Sequence, residues 1–535
     1  MMCRPAAVTL VCPSWASTDA TEGGGSGDAR PTAAAPGWCT TPVPNSAAEP
    51  YGDGVIAVPS TAPSPACSLL PAAADECVTS AGRPRPPYAR TMAAALGDEA
   101  MLTGLRERAI AWFGARGITF GVPAEDGVPI IPFDPIPRVL AAAEWRGLER
   151  ALAQRVMALD AFVADCYGAQ RALREGVVPS RFVYSSNGYL RELVGVRPPR
   201  ATHCHVAGID VVRVDGVFMV LEDNVRVPSG IAYALVAREA MLELAHDWIA
   251  AAGVRSIDSY ASRLRRSLQR IAPRPWQASI AVLTPGPYNA AYFEHRMLAD
   301  AIGAMLVTGN DLVVHEDEVY CRHNGVLERV DVVYSRVNAD WLDPLLFRPE
   351  TLLGPPGLIE AWRRGNVAIA NSPGSGVADD KAIYPYVPAM VRYYLGEEPL
   401  IDNVPTYDIS DDRQRRHVIA NLERMVIKPV DASGGYGIGF GRLMCAAERE
   451  ATAAQLETRP RAWLAQEEVQ LSRALCLSPD GGLEARAVDL RPFVLLDERP
   501  WVVPGGLTRV ARDTETLVVN SSQGGGSKDT WVLQR

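Results

Sequence analysis

Between residues 426 and 441 the chain reads VIKPVDASGGYGIGFG, and four glycines (Gly435, Gly437, Gly439 and Gly441) fall at every second position. Side chains alternate between faces in an extended segment, so this spacing clears one whole face. A bare backbone face can lie against a triphosphate, and Ser433-Gly434-Gly435 offers N–H groups to cradle it. Lys428 ends the strand that leads into this loop. It is a rare residue here: of 53 basic residues only Lys381, Lys428 and Lys528 are lysine. A slim ammonium fits a phosphate slot that a broad guanidinium fork does not. Taken alone, a glycine-rich hairpin with a surface lysine explains the stretch equally well, because the glycine pattern is weakly specific. The glycines do not open a helix as a dinucleotide-binding loop would, and the spacing GxxxxGK[ST] is absent both here and at GGGSKD (524–529).

Two further signals favour a nucleotide. Lys381 stands in VADDKAIYPY, upstream of the glycine loop, and QEEV (466–469) lies downstream. An acidic strand end of that kind, with Gln466, Glu467 and Val469, can bind an adenine amino group while adjacent backbone reads the ring edge. A triphosphate in use needs Mg²⁺, which takes carboxylate and amide oxygens. VLEDNVRVPSG (220–230) offers Glu222, Asp223 and Asn224 at a strand end, followed by a turn with Ser229. Asp210 lies on the partner strand of a hairpin turning at Asp215-Gly216. A tight two-residue turn would place Asp210 and Glu222 on opposite faces, so a shared metal site requires a longer loop or a bulge near 215–217.

The bulk properties exclude several alternatives. A net charge of −9 with no basic stripe argues against nucleic acid as a partner. No apolar run approaches a membrane span. The first ninety residues, rich in Ala, Pro, Gly, Ser and Thr, lack periodicity and read as a disordered tail, with Met92 or Met101 as alternative starts. The cysteines are isolated, which suggests neither disulfides nor a CxxC zinc site and fits a reduced, cytoplasmic setting. His203 and His205 flank Cys204, but read better as one satisfied face than as a metal cluster.

Periodicity predicts helices over 138–168 and a strand–helix–strand unit over 278–314, whose sheet VDVVYSRVN (330–338) and VAIANS (367–372) extend. Strands follow at VIKPV, AWLAQEEVQ, VDLRPFVLL and WVVPGGLTRVA. The closing stretch SSQGGGSKDT (521–530) reads as a polar loop suited to a phosphate or a substrate carboxylate, with Ser522, Gln523, Gly524 and Lys528 as contacts.

In this combination VIKPVDASGGYG, the upstream DDK, the hinge QEEV and LEDNVRVPSG resemble the motif set of ATP-grasp ligases. The acidic element comes before the glycine loop, however, and that order resembles the circularly permuted type 2 ATP-grasp family, distant relatives of glutathionylspermidine synthases. The resemblance implies a mixed α/β and α+β chain: a permuted ATP-grasp fold with an inserted Rossmann-like pre-ATP-grasp domain and a disordered N-terminal tail. Its parts would be the tail at 1–91, a helical region at 92–200 and a metal-binding hairpin and helix at 201–275. The inserted α/β domain would take 276–375, the lobe with Lys381, Lys428 and the glycine loop 376–470, and the rest of the C-lobe 471–535. By the same resemblance Lys381 and Lys428 hold ATP phosphates, Ser433 to Gly437 form the lid, and Gln466, Glu467 and Val469 hold the adenosine. Asp210, Glu222 and Asn224 take Mg²⁺. D-alanine ligase-like members carry an arginine two residues before the metal aspartate, where this chain has Gly208. The arginine that faces the transferring phosphoryl must then come from elsewhere: Arg491 first, with Arg213 and Arg226 behind it. The implied activity is carboxylate–amine ligation, often beside a partner protein. A non-catalytic ATP-binding scaffold or sensor, and a small-molecule phosphotransferase, are the alternatives.

Overall fold

The computed structural model describes residues 75–78, 83–89, 98–121, 129–197, 202–430, 437–516, 519 and 525–534. Arg138–Leu140 form a short strand, so the helix expected from 138 begins later, as α1 (Ala142–Tyr167). α1 is rich in Ala and Leu, buries Trp145, Leu152, Leu159 and Phe162, and stops at Gly168. Strands β1 (Val206–Val214) and β2 (Val217–Asn224) form the hairpin. Asp215 and Gly216 turn it with φ of 49° and 84°, the tight two-residue geometry that Asp-Gly favours. Helix α2 (Ile231–Leu244) follows.

The chain then leaves the hairpin and builds a second sheet from β3 (Ile280–Leu283), helix α3 (Tyr292–Ile302), β4 (Met305–Val307), β5 (Val332–Ser335) and β6 (Ala368–Ala370). Its order is β6-β5-β3-β4 and every pairing is parallel. These strands are short, β-branched and nearly all buried, as a sheet covered on both faces requires. The expected strand–helix–strand unit is therefore present.

A third sheet, antiparallel and ordered β7-β10-β8-β9, contains β7 (Thr406–Asp408), β8 (Met425–Pro429), β9 (Gly439–Phe440) and β10 (Trp463–Glu467). It has its own small core of Ile409, Val418, Leu422, Met425, Ile427, Leu456 and Ala465. The last strands, β11 (Leu483–Arg491), β12 (Phe493–Leu496), β13 (Leu507–Val510) and β14 (Gly526–Lys528), return to the hairpin. The run VDLRPFVLL, expected as one strand, is split at Pro492, which has no N–H to give. Both halves still line β1, with Leu490 opposite Val211 and Phe493 opposite Gly208. The large sheet thus runs β2-β1-β11-β13-β14, joining residues near 210 to residues near 490 and 509. That closure gives a mixed α/β chain in which the early hairpin completes a late sheet.

The tail expected over 1–91 needs correction at its end. Residues 75–78 and 83–89 pack against the body, with Cys77 and Tyr88 in the core. Glu76 accepts from Arg138 Nε at 2.9 Å, pairs with Arg138 NH2 at 2.5 Å and with Arg213 NH1 at 3.1 Å, and is buried. Composition concealed this, because one buried acid in an Ala/Pro-rich stretch has no periodicity to announce it. Burial raises the Glu76 carboxyl, but Arg138 and Arg213 outweigh burial and hold it below its ordinary value. Its stabilisation is therefore present above about pH 4.3 and is lost as pH falls through the lowered value. Glu76→Ala, or a chain begun at Met92, leaves Arg138 buried without its partner. The expected loss is about 3–5 kcal/mol in urea unfolding; an unchanged midpoint would contradict this role.

Candidate active site

Alternation on the hairpin sorts its acids. Asp223 points to α1, where Arg155 holds both its oxygens at 2.7 and 2.6 Å. Glu222 and Asn224 face the other way, and Asp210 lies directly opposite Glu222. The pairing then skips from Asp210–Glu222 to Val211–Val220, so Leu221 is an extra residue on β2. The irregularity required of the hairpin exists, but at Leu221 and not at 215–217, and it brings both acids to one face.

Asp210 is buried and pinned by two arginines from the late strands. Arg491 grips both its oxygens, NH2 at 2.7 Å from Oδ2, and Arg509 NH2 reaches Oδ2 at 2.7 Å. Arg509 also pairs with Asp489, its neighbour across the ladder. Burial pushes the Asp210 carboxyl up, yet Arg491 and Arg509 together pull it down to about 2. Burial raises Asp489 more than Arg509 lowers it. Both Asp210 oxygens are thus engaged with guanidinium, so a metal ion on Asp210 would share it with Arg491 and Arg509. Arg491 reaches this position across Gly208: a side chain there would meet Arg491 Cδ at 3.1 Å and Pro228 Cβ at 3.3 Å. The missing side chain at 208 is the space Arg491 uses.

The lysines approach from the third sheet and its leading loop. Lys381 Nζ lies 2.9 Å from Glu222 Oε1. Burial opposes both charges, but each partner favours the other, so Lys381 is raised and Glu222 lowered. Lys428, half-buried on β8, donates to the neutral Gln466 Oε1 at 2.5 Å. Burial pulls it down to about 8, against the opposing influence of Glu222. Among the described residues of this cleft, Glu222, Asp210, Asp489 and Asp379 each face a cation within 3.4 Å. Among the same described residues Lys428 alone has no carboxylate at that range, which leaves one positive charge among them uncompensated.

The hinge residues stand beside it. Gln466 Nε2 donates to Thr406 Oγ1 at 3.0 Å, and Tyr407 donates to Glu467 Oε1 at 2.5 Å, which helps raise that phenol to about 12. The backbone N–H groups of Glu467 and Glu468 bond the Pro405 and Arg424 carbonyls. Gly437 follows the loop with φ 72°. The Ser229 carbonyl accepts from Arg491 NH1 at 3.1 Å. Ser433, Gly434, Gly435, Tyr436, Ser522, Gln523 and Gly524 lie outside the described residues.

Two expected contacts, Arg213 and Lys528, stand elsewhere, and Arg226 lies to one side of Lys381. Arg213 is on the opposite face of β1 from Asp210, held by Glu76 and Glu144 and stacked on Phe218. Arg226 pairs with Asp379 at 3.4 Å at the rim. Lys528 is fully buried and gives its protons to Asp134, Ile136 O and Leu475 O at 2.5, 2.8 and 3.0 Å. It is a structural ammonium, not a substrate contact. His203 Nδ1 lies 2.9 Å from Ser372 Oγ, while His205 Nδ1 is buried without a partner, so that face is only half satisfied. Burial draws the two rings down to about 4 and about 3. Among the described residues no three His, Cys, Asp or Glu side chains gather as a metal group. A divalent ion would instead use Glu222 and Asn224. Asn224 Nδ2 is buried with no partner, and turning that amide offers its oxygen to the cleft. Those donors suit Mg²⁺, which binds few protein oxygens and completes its shell from phosphate and water.

The fold and this cleft define a permuted ATP-grasp protein. The profile of the circularly permuted ATP-grasp type 2 family matches residues 137–511, and the chain belongs to that family. An uncharacterized protein of Synechocystis is 46% identical over 467 residues, covering 86% of this chain and 97% of the relative. A Frankia alni protein with the provisional name glutamate–cysteine ligase 2-3 is 43% identical over 474 residues, 87% of this chain but 54% of that protein's length. A solved glutathione synthetase-like effector of Globodera pallida, in apo form, superposes with a TM-score of 0.51 at 14% identity. It covers 82% of this chain and 98% of its own, and the likeness is one of fold.

The Gly208–Arg491 contact is testable by coupling. Gly208→Ala should destabilise by about 1–3 kcal/mol, and most of that loss should vanish when Arg491 is already alanine. Strict additivity in chemical denaturation would show that Arg491 does not depend on the bare position.

Proposed function

We propose that the protein is an ATP-dependent carboxylate–amine ligase, with ATP held between the third sheet and the hairpin. The observation that carries this reading is the uncompensated charge at Lys428, a half-buried ammonium bonded to a neutral amide where a phosphate would supply the anion. Lys381 would take a second phosphate, the loop Ser433 to Gly437 would close over them, and the edge from Gln466 to Val469 would hold the adenosine. Glu222 and Asn224 would hold Mg²⁺, which supplies charge neutralisation on the phosphates. We assign the parallel unit at 276–375 as the inserted Rossmann-like, pre-ATP-grasp domain.

In the reaction a substrate carboxylate oxygen attacks the γ-phosphorus and ADP departs, leaving an acyl phosphate. An amine nitrogen then attacks the acyl carbon, phosphate departs, and the nitrogen loses its proton to give an amide. Arg491 would stabilise charge on the transferring phosphoryl, with Asp210 and Arg509 fixing its fork before the substrate arrives. That preorganisation lowers the reorganisation needed at the moment of transfer. The Frankia relative's name suggests an amino-acid carboxylate as the class of acid.

Calorimetry with the full chain should give micromolar-range Mg-ATP binding, weakened at least about tenfold by Lys428→Ala and by Glu222→Ala. Unchanged binding in either variant would contradict the site. Because burial depresses Lys428 to about 8 and a phosphate would restore its charge, binding should take up about half a proton near pH 8. Affinity should fall as pH climbs from about 7 to 9; buffers of different ionisation enthalpy measure the uptake, and none at pH 8 would remove Lys428 from the phosphates.

A further inference from the structure

One fully buried carboxylate outside the cleft reaches into it through a single peptide bond. Glu294 lies in the first turn of α3, in the parallel sheet's domain, and is 0% exposed. Its Oε2 accepts from Gly230 N at 2.6 Å and Ala232 N at 3.3 Å. Its Oε1 accepts from Arg336 NH2 at 3.0 Å, and Arg336, just past the end of β5, is buried as well. Gly230 shares a peptide unit with Ser229. The carbonyl of that unit accepts from Arg491 NH1 at 3.1 Å. A peptide is planar, so fixing its N–H fixes the direction of its C=O. The unit is held at both ends: by Glu294 on the amide side and by Arg491 on the carbonyl side.

The surroundings keep it there. Gly230 has φ 112°, a conformation side chains resist, and a Cβ would meet Leu507 Cδ2 at 2.8 Å. It also caps the N-terminus of α2, whose dipole favours the Glu294 charge. Burial raises the Glu294 carboxyl against the pull of Arg336 and the two N–H groups, and its acceptor oxygen on the N–H polarises the peptide and strengthens the opposite carbonyl as an acceptor for the guanidinium. Arg336 in turn anchors its backbone N–H on the Leu283 carbonyl at 2.8 Å, at the end of β3. The parallel sheet therefore sets the angle at which Glu294 meets the turn.

We infer that Glu294 is a positioning residue for the phosphoryl-transfer site: through the Ser229–Gly230 peptide it aims Arg491, making the parallel domain part of the site's preorganisation. This rests on the ligase reading above, in which Arg491 faces the transferring phosphoryl. A role confined to Arg491 predicts a selective defect, since ADP lacks the group that Arg491 would meet.

The experiment is calorimetry of full-length protein with Mg-ADP and with the non-hydrolysable analogue Mg-AMP-PNP. Glu294→Ala should weaken Mg-AMP-PNP about tenfold while leaving Mg-ADP within about twofold. Glu294→Gln keeps the shape and one acceptor oxygen but turns an NH2 toward either Arg336 or the Gly230 N–H, so where it folds it should weaken Mg-AMP-PNP selectively by about threefold. Arg491→Ala should show the same selectivity, and adding Glu294→Ala to it should change little further. Equal weakening of both nucleotides, no change in Mg-AMP-PNP for a folded Glu294 variant, or additivity with Arg491→Ala would overturn the inference while leaving the nucleotide site standing. Wild type binding neither nucleotide would overturn both.

Discussion

A carboxylate taken out of water must be neutralised where it stands, and Asp210 is the carboxylate around which this molecule closes. It lies on the central strand of the large sheet, 2% exposed, where an unpaired charge would cost several kcal/mol. Its two partners come from the far end of the chain, Arg491 on β11 and Arg509 on β13. Breaking the pairing would strand Asp210 and Arg491, while Arg509 would keep Asp489, so the interaction favours a single register between the early hairpin and the late strands. The circular order of the chain is thus enforced by electrostatics as well as by the ladder itself. Gly208 and the bulge at Leu221 serve this centre, one by clearing a path for Arg491 and the other by turning Glu222 to the same face.

Around that neutral centre the remaining charges are graded. Glu222 and Lys381 cancel at the cleft mouth. Lys428 is left over, and its ammonium is already strained by burial. A site built this way does not attract anions through overall charge, since the chain carries −9. In the proposed ligase it would select them locally, at the one cation that lacks a carboxylate partner among the described residues.

Much of this was legible because phosphate and metal chemistry uses few residue types. The bare glycine face, the lysine before it and the paired acids of the hairpin are visible without a structure. The arginine partners were harder. Arg491 stood out through its neighbours in VDLRPFV, but Arg509 is one arginine among fifty, and only the β11–β13 ladder puts it on Asp210. Lysine rarity singled out Lys381 and Lys428, which line the same hairpin and sheet, and misled for Lys528. The same slim, three-donor head that suits a phosphate also suits a sealed niche with three protein oxygens, and sequence does not distinguish the two. Glu76 escaped notice because a single buried acid needs no pattern, and Glu294 because its partner is a backbone N–H 64 residues away.

The central claim is that the hairpin and the glycine-loop sheet meet on one triphosphate. A crystal structure with Mg²⁺ and a non-hydrolysable ATP analogue tests it most directly. Phosphate oxygens should contact both Lys381 and Lys428, and a metal ion should sit on Glu222 and Asn224. A nucleotide bound away from Lys428, or a metal ion that ignores Glu222, would contradict it.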